Sequence, residues 1–428
     1  MEPLFTNDAI VFGILMSALG LVFYTSNSNH PGLKKFYTVF PPLLLCYMVP
    51  AIFTTAGWIS PHWEYTDSEG NVLQGHSELY NMAKNYLLPA ALVLMTLSID
   101  LKSVFSLGPK SLIMFFTGTI GIIIGGPLAI LAFSTFAPEI VGGAGPDAVW
   151  RGLATLAGSW IGGGANQTAM LEIYGYNQAN YAPMVIVDIV VANIWMAILL
   201  FGIGKKDQID RWLKADSSAI TRLQEKVEQF QNAITQNPKL KDLMVVLGVA
   251  FGITGLSHVL ADGVTHQIAT EWTSLQNSVV DSRFFWLVVM ATTLGIGMSF
   301  TKARNLEGYG ASKLGSVFIY ILVATIGMKM DLATLLDPEN AGLIGVGIVW
   351  MFIHVMLLIA VAKIIRAPYF FLAVGSKANV GGAASAPVVA AAFHPSLAPV
   401  GVLLAVLGYA LGTYGAIFCA TLMEMVAP

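Results

Sequence analysis

The sequence predicts an all-α polytopic membrane protein made of two inverted repeats, each with five transmembrane helices and one re-entrant hairpin. Three observations carry that expectation: a very low charge content, ten long apolar runs, and two glycine-broken segments in matching places. Of the 428 residues, 56% are hydrophobic and only 11% are charged, whereas soluble globular chains carry roughly 25% charged residues. A soluble enzyme does not fit this composition. The net charge of -3 offers no basic surface for a nucleic-acid backbone, so the partner expected is the lipid bilayer.

A helix needs about 20 apolar residues to cross roughly 30 Å of hydrocarbon. Runs of this kind lie at about 8–25, 40–58, 83–100, 110–136, 180–204, 241–261, 283–300, 311–328, 341–362 and 398–423. Met1 to Asp8 contain no Lys or Arg, so the first run lacks the basic region of a cleavable signal peptide and reads as a retained helix. Cys46 and Cys419 sit inside apolar runs, where thiols pack as small hydrophobes, and imply no disulfide framework.

Two further apolar segments, about 150–175 and 370–395, have polar centres rich in glycine. The first reads Gly158-Ser159-Trp160-Ile161-Gly162-Gly163-Gly164-Ala165-Asn166-Gln167-Thr168. The second reads Gly375-Ser376-Lys377-Ala378-Asn379-Val380-Gly381-Gly382-Ala383-Ala384-Ser385-Ala386-Pro387. Glycine at this density disfavours a continuous helix. The distribution of Lys and Arg, which concentrate in cytoplasmic loops, decides whether these segments cross. If both dip in and return, seventeen of the 22 basic residues are cytoplasmic, and only Lys84, Arg151, Arg283 and Lys329 lie outside, with Lys377 in the second dip. If either crossed, the basic loops after it would swap sides. Both termini are then expected outside, and five spans per half place the second half upside down relative to the first, as in inverted-repeat transporters.

Similarity between the halves points the same way. Leu97-Ser98-Ile99-Asp100-Leu101 matches Met328-Lys329-Met330-Asp331-Leu332; Gly158-Ser159 matches Gly375-Ser376; Tyr181-Ala182-Pro183 matches Leu397-Ala398-Pro399. The domains expected are a first repeat over 1–204, a cytoplasmic connector over 205–240 and a second repeat over 241–428. Ile220, Leu223, Val227, Phe230 and Ile234 make the connector an amphipathic helix, begun by Asp216, Ser217 or Ser218 and ended by Asn237-Pro238. It reads as a tether or as an oligomer contact. The polar stretch 59–82 reads as an outer loop, with a turn at Ser68-Glu69-Gly70-Asn71.

Unpaired backbone in hydrocarbon costs several kcal/mol per group, so broken hairpins persist at membrane depth only where they face protein or a water-filled cavity. At each tip the first arm ends in free carbonyls, which suit sodium, and the second begins with free amides, which suit a carboxylate. Substrate contacts are expected from Gly163, Gly164, Asn166, Gln167 and Thr168 in the first hairpin and from Lys377, Asn379, Gly381 and Gly382 in the second. Hard cations prefer oxygen donors, so sodium ligands are expected among Ser159, Asn166, Asp188, Asn193, Ser376, Asn379 and Ser385. The bland alternative for the Ser and Asn residues is capping of the hairpin arms. Asp188 is an acid deep in an apolar run, a functional candidate for cation binding or proton coupling; its structural alternative is pairing with Lys377. His354 reads as a packing histidine or a proton relay. Asp100 and Asp331 read as caps at span ends. Tyr409, Thr413 and Tyr414 either line the cavity or pack helices.

These paired Gly-Ser…Gly-Gly hairpins in halves of five spans resemble the sodium/glutamate and sodium/citrate symporter superfamily. More closely, Ala157-Gly158-Ser159-Trp160-Ile161-Gly162-Gly163-Gly164-Ala165-Asn166 and Asn379-Val380-Gly381-Gly382-Ala383 are similar to a YjcL-like, uncharacterised family of bacterial membrane proteins. The resemblance implies a homodimer in the bacterial inner membrane. Spans from the start of each half form its scaffold, and the hairpins with their adjoining spans move as an elevator. Where that family commonly has Ser-Asn-Ala-Asn, this chain has Ser376-Lys377-Ala378-Asn379. The function expected is sodium-coupled symport of a small carboxylated solute: an amino acid, a short peptide or an organic anion. The alternatives are a proton-coupled carrier using Asp188 and His354, or an ion channel. No His-Glu-x-x-His, Gly-x-Ser-x-Gly or Walker A sequence occurs, so neither enzyme activity nor ATP drive is expected. The cofactor expected is sodium alone, with no organic group.

Overall fold

Each of the ten long apolar runs forms a helix, and each glycine-broken segment forms two short helices folded against each other. The computed structural model describes residues 3–66, 72–99, 104–105, 107–215, 238–276, 279–333, 338–394 and 397–428. Asp100, the turn at 68–71 and the amphipathic stretch from Asp216 to Asn237 lie outside the described residues. The first half comprises α1 (Asp8–Ser26), α2 (Pro42–Thr55), α3 (Leu88–Leu97), α4 (Pro109–Phe136), α5 (Val149–Gly162), α6 (Gly164–Tyr174) and α7 (Ala182–Ile203). The second comprises α8 (Leu240–Thr270), α9 (Arg283–Ser299), α10 (Ala311–Gly327), α11 (Pro338–Ile365), α12 (Tyr369–Asn379), α13 (Gly382–Phe393) and α14 (Ala398–Val426). Among the described residues, six helices are individually long and apolar enough to cross a membrane, and up to eight spans result if two bent pairs each count as one. The protein is thus a polytopic membrane protein. A π-helical turn at Ala83–Leu87 leads into α3.

The polar stretch 59–82 contains a feature that the sequence reading did not anticipate, which makes the fold nearly all-helical rather than all-α. Strands β1 (His62–Thr66) and β2 (Val72–His76) pair antiparallel, with His62 opposite His76 and Thr66 opposite Val72. Trp63 lies across from Gly75 and occupies the space where a Cβ on that glycine would stand. The aromatic and β-branched residues that favour a pleated surface are here diluted by polar neighbours, which hid the strands.

Both broken segments are antiparallel hairpins. In the first, Gly163 turns the chain at φ 75°; at its base the Arg151 guanidinium donates to the Tyr174 carbonyl. In the second, Gly381 and Gly382 turn it at φ 107° and 53°, and the rings of Phe370 and Phe393 meet at the base, 5.3 Å apart. The base of the first lies at the end of the bundle where Ser77 Oγ donates to Asp8 Oδ1 (2.6 Å) and Asp331 N donates to Ala179 O (3.1 Å). The base of the second lies at the other end. There Tyr369 N donates to Asp210 Oδ1 (2.7 Å) and Lys110 Nζ to Arg366 O (3.0 Å). The hairpins therefore penetrate from opposite ends.

Helix packing repeats between the halves. α1 packs on α2 and α10 as α8 packs on α9 and α3; α2 packs on α10 as α9 packs on α3; α7 packs on α11 as α14 packs on α4. The pairs α3–α10 and α4–α11 join counterparts directly. The hairpins break this regularity, because both seat on α14. Glycines allow the close approach: a Cβ on Gly162 would stand 2.5 Å from Gly412 Cα and 2.2 Å from Asn166 Nδ2. Gly162→Ala is accordingly expected to destabilise the protein by about 1–3 kcal/mol, the usual cost of overpacking, seen as a lower thermal midpoint. A midpoint equal to wild type would show that this tip tolerates lifting from α14.

Candidate functional site

Asp188 lies two turns into α7 and is 5% exposed. Hairpin one surrounds it with donors. Ser159 Oγ (2.7 Å) and Gln167 Nε2 (3.0 Å) donate to Oδ2, and Trp160 Nε1 (2.7 Å) donates to Oδ1. One acid thus binds both arms of the hairpin to α7. Ser159, Gln167 and Asp188, three of the sequence candidates, meet here; Trp160 was missed, since a tryptophan in an apolar run carries no polar signal of its own.

Lys377, on α12, is 2% exposed and donates to Ala192 O at 3.0 Å. It is the charged neighbour of Asp188, but among the described residues no ion pair joins them. The pairing read as the structural alternative is therefore a longer-range interaction. A Cβ on Gly381 would lie 3.3 Å from Lys377 Nζ and 2.3 Å from Ser385 Oγ, so both groups face the turn of hairpin two. Among the described residues, Ser385 Oγ is buried there without a hydrogen-bond partner. No side chain caps α13 at this turn.

The other candidates are distributed as follows. Asn166 donates to Gly162 O (2.9 Å) and accepts from Thr413 Oγ1 (2.6 Å), which fixes hairpin one to α14. Asn379 donates to Phe115 O and Gly375 O (3.0 Å each) and accepts from Thr119 Oγ1 (2.8 Å), which fixes hairpin two to α4. Thr168 hydrogen-bonds back to Gly164 O and Ala165 O at 3.1 and 3.0 Å. Gly163 and Gly164 are partly exposed at the first tip, and Tyr409 approaches Gly163. Asn193 is exposed; five residues of helix rotate it about 140° away from Asp188, so it is not brought into the cluster. Tyr414 and Thr293 hydroxyls hydrogen-bond at 2.6 Å, and Asp331 Oδ1 accepts from Ala333 N at 2.8 Å as a local cap.

Ser376 sits away from Asp188, between Trp195 and His354. Trp195 Nε1 lies 2.8 Å and His354 Nε2 2.7 Å from its hydroxyl, while His354 Nδ1 lies 2.9 Å from Gly118 O. Tryptophan only donates, so Ser376 accepts from Trp195 and gives its own proton to His354 Nε2. Nδ1 then carries the ring proton and donates to Gly118 O. Every group is satisfied, and His354 pins α11 to α4 and α12.

Glu172 in hairpin one is a second buried acid that the sequence reading passed over. Its Oε2 pairs with Lys84 Nζ at 2.7 Å, and its Oε1 accepts from Gln178 Nε2 (2.8 Å) and from the Tyr80 hydroxyl. Lys329 stacks over the Tyr80 ring at 3.8 Å. Burial holds Lys329 below the ordinary lysine range, with Glu172 opposing and Lys84 adding to the shift. Among the described residues no three His, Cys, Asp or Glu converge as metal ligands.

A helical bundle with two glycine-turned hairpins, and with Glu172, Asp188 and Lys377 buried in or against them, defines an integral membrane protein with a polar interior. The chain matches the family described as "Protein of unknown function (DUF819)" over residues 13–426 and belongs to it. It is 24% identical over 360 residues to the uncharacterized membrane protein YjcL of Bacillus subtilis (strain 168), covering 80% of this chain and 83% of that one.

Proposed function

We propose that the protein is a secondary active transporter that carries a small carboxylated solute together with sodium. The observation that carries this reading is Lys377. It is a buried ammonium with three donors and, among the described residues, a single carbonyl acceptor and an unpartnered serine hydroxyl beside it at the turn of a helical hairpin. A solute carboxylate satisfies all of them, together with the free amides that open α13. Lys377, Ser385, Gly381 and Gly382 bind the anion, and the Asp188 cluster answers for the cation.

The repeated packing of α1–α7 and α8–α14 supports two inverted repeats, with hairpins that enter from opposite sides of the membrane. The same packing supports a division into two groups of helices. In this reading α1–α3 and α8–α10 are the scaffold of a homodimer, and α4–α7 and α11–α14 carry the hairpins and move as an elevator. The distribution of basic residues supports a cytoplasmic location for the end holding Lys110 and Arg366, with both termini outside a bacterial inner membrane.

The test is uptake of labelled acidic amino acids, short peptides, dicarboxylates and tricarboxylates into proteoliposomes under an inward sodium gradient, with choline as the control. Saturable, sodium-driven uptake supports the reading. Uptake driven equally by an acid gradient without sodium, or an unsaturable conductance, overturns it.

A further inference from the structure

Three fully buried oxygens next to Asp188 have no partner among the described residues. Gln167 directs its Nε2 to Asp188 Oδ2, so its Oε1 points away, and it lacks a donor. The hydroxyls of Tyr181, just before α7, and Tyr47, on α2, are likewise buried and unpartnered. Their rings meet edge to face with centroids 6.0 Å apart. The Tyr181 hydroxyl lies beside Tyr47, Thr155 and the Gln167 amide, but none of these contacts has hydrogen-bond geometry. Thr155 spends its proton on Gly152 O at 2.7 Å and keeps lone pairs free.

Buried polar atoms without partners are rare because each loses its hydration uncompensated. A water molecule would satisfy the oxygens but leave the nearby negative charge of Asp188 unbalanced. An alkali cation answers both, since it takes neutral oxygens as ligands and balances the carboxylate. We propose that Gln167 Oε1, the Tyr181 and Tyr47 hydroxyls and Thr155 Oγ1 hold a dehydrated sodium ion balanced by Asp188. This inference rests on the sodium-coupled reading above and moves the ion from the hairpin tips to the side of hairpin one facing the scaffold. Tyr47 belongs to α2 and the other ligands to the hairpin-bearing group. The ion therefore has its full shell only while the two groups are docked, and on sliding it exchanges the Tyr47 hydroxyl for another oxygen and travels with Gln167, Tyr181, Thr155 and Asp188.

Equilibrium binding of sodium-22 to the purified full-length protein, without any solute, tests the site. Wild type is expected to bind saturably. Tyr47→Phe and Tyr181→Phe each keep the ring and are expected to raise the half-saturating sodium concentration about tenfold or more, the usual scale for losing a supporting group at a metal site. Tyr174→Phe, a buried tyrosine whose hydroxyl donates to Ile417 O instead, is expected to bind as wild type. Thermal midpoints in choline chloride confirm folding, and a folded Tyr47→Phe protein gains less from added sodium than wild type. If Asp188→Asn abolishes binding while both tyrosine variants retain wild-type affinity, the tyrosine site is overturned and the sodium-coupled reading stands. If wild type shows no saturable binding, both fall.

Discussion

Asp188→Asn is expected to abolish sodium-dependent stabilisation and sodium-driven uptake while leaving a folded protein. Asparagine has nearly the same shape, but its amide nitrogen donates where the carboxylate only accepted. Whichever way it turns, Ser159, Gln167 or Trp160 loses an acceptor, at a cost of about 1–3 kcal/mol. Removing a charge buried at membrane depth offsets much of that cost. The thermal midpoint in choline therefore changes little, but the rise on adding sodium disappears, because nothing remains to balance the ion. A bound ligand stabilises by mass action, about 2.7 kcal/mol at a hundredfold excess over its dissociation constant, so the lost rise is readily measured. A variant that still gains stability from sodium, and is merely less stable throughout, would make Asp188 a structural anchor of hairpin one and nothing more.

The parts of this architecture that were legible in the sequence have a simple physical basis. The apolar runs show because hydrocarbon demands continuous apolar length. The hairpin turns at Gly163 and Gly381 show because a positive φ inside an apolar segment calls for glycine. Asp188 shows because an acid in such a run is expensive. What stayed hidden depends on which way a side chain faces. In a soluble helix, periodicity separates the inward face from the outward one. In α7, lipid-facing and interior positions are alike apolar, so nothing local distinguished Asp188, which turns inward, from Asn193, which is exposed. Tyr47 and Trp160 escaped for a related reason. Each is an ordinary aromatic in its own run and acquires a polar neighbour only through contact with a distant segment. The strands His62–Thr66 and Val72–His76 were obscured by polar residues such as Glu64 and Gln74 in the alternating pattern.

Lys377→Met gives the second large effect, and its sign distinguishes charge coupling from simple loss of structure. Lys377 and Asp188 are buried and opposite in charge, and among the described residues each bonds to other groups. Without ligands, each partly compensates the other. A sodium ion arriving alone meets the field of the ammonium, and an anion arriving alone meets the field of the carboxylate; when both arrive, each charge acquires its own partner. The two ligands thus assist each other without touching, and by linkage the assistance is equal in both directions. At an effective dielectric near 20, charges a little beyond contact interact by on the order of 1–3 kcal/mol, roughly a tenfold to hundredfold change in affinity. Methionine preserves the unbranched stem and removes the charge. Solute uptake is expected to vanish, sodium-22 binding to tighten by about tenfold or more, and added solute to lose any influence on that binding. If sodium affinity falls instead, Lys377 holds hairpin two in the shape that the ion site requires, and the two charges are not the device that couples ion to solute.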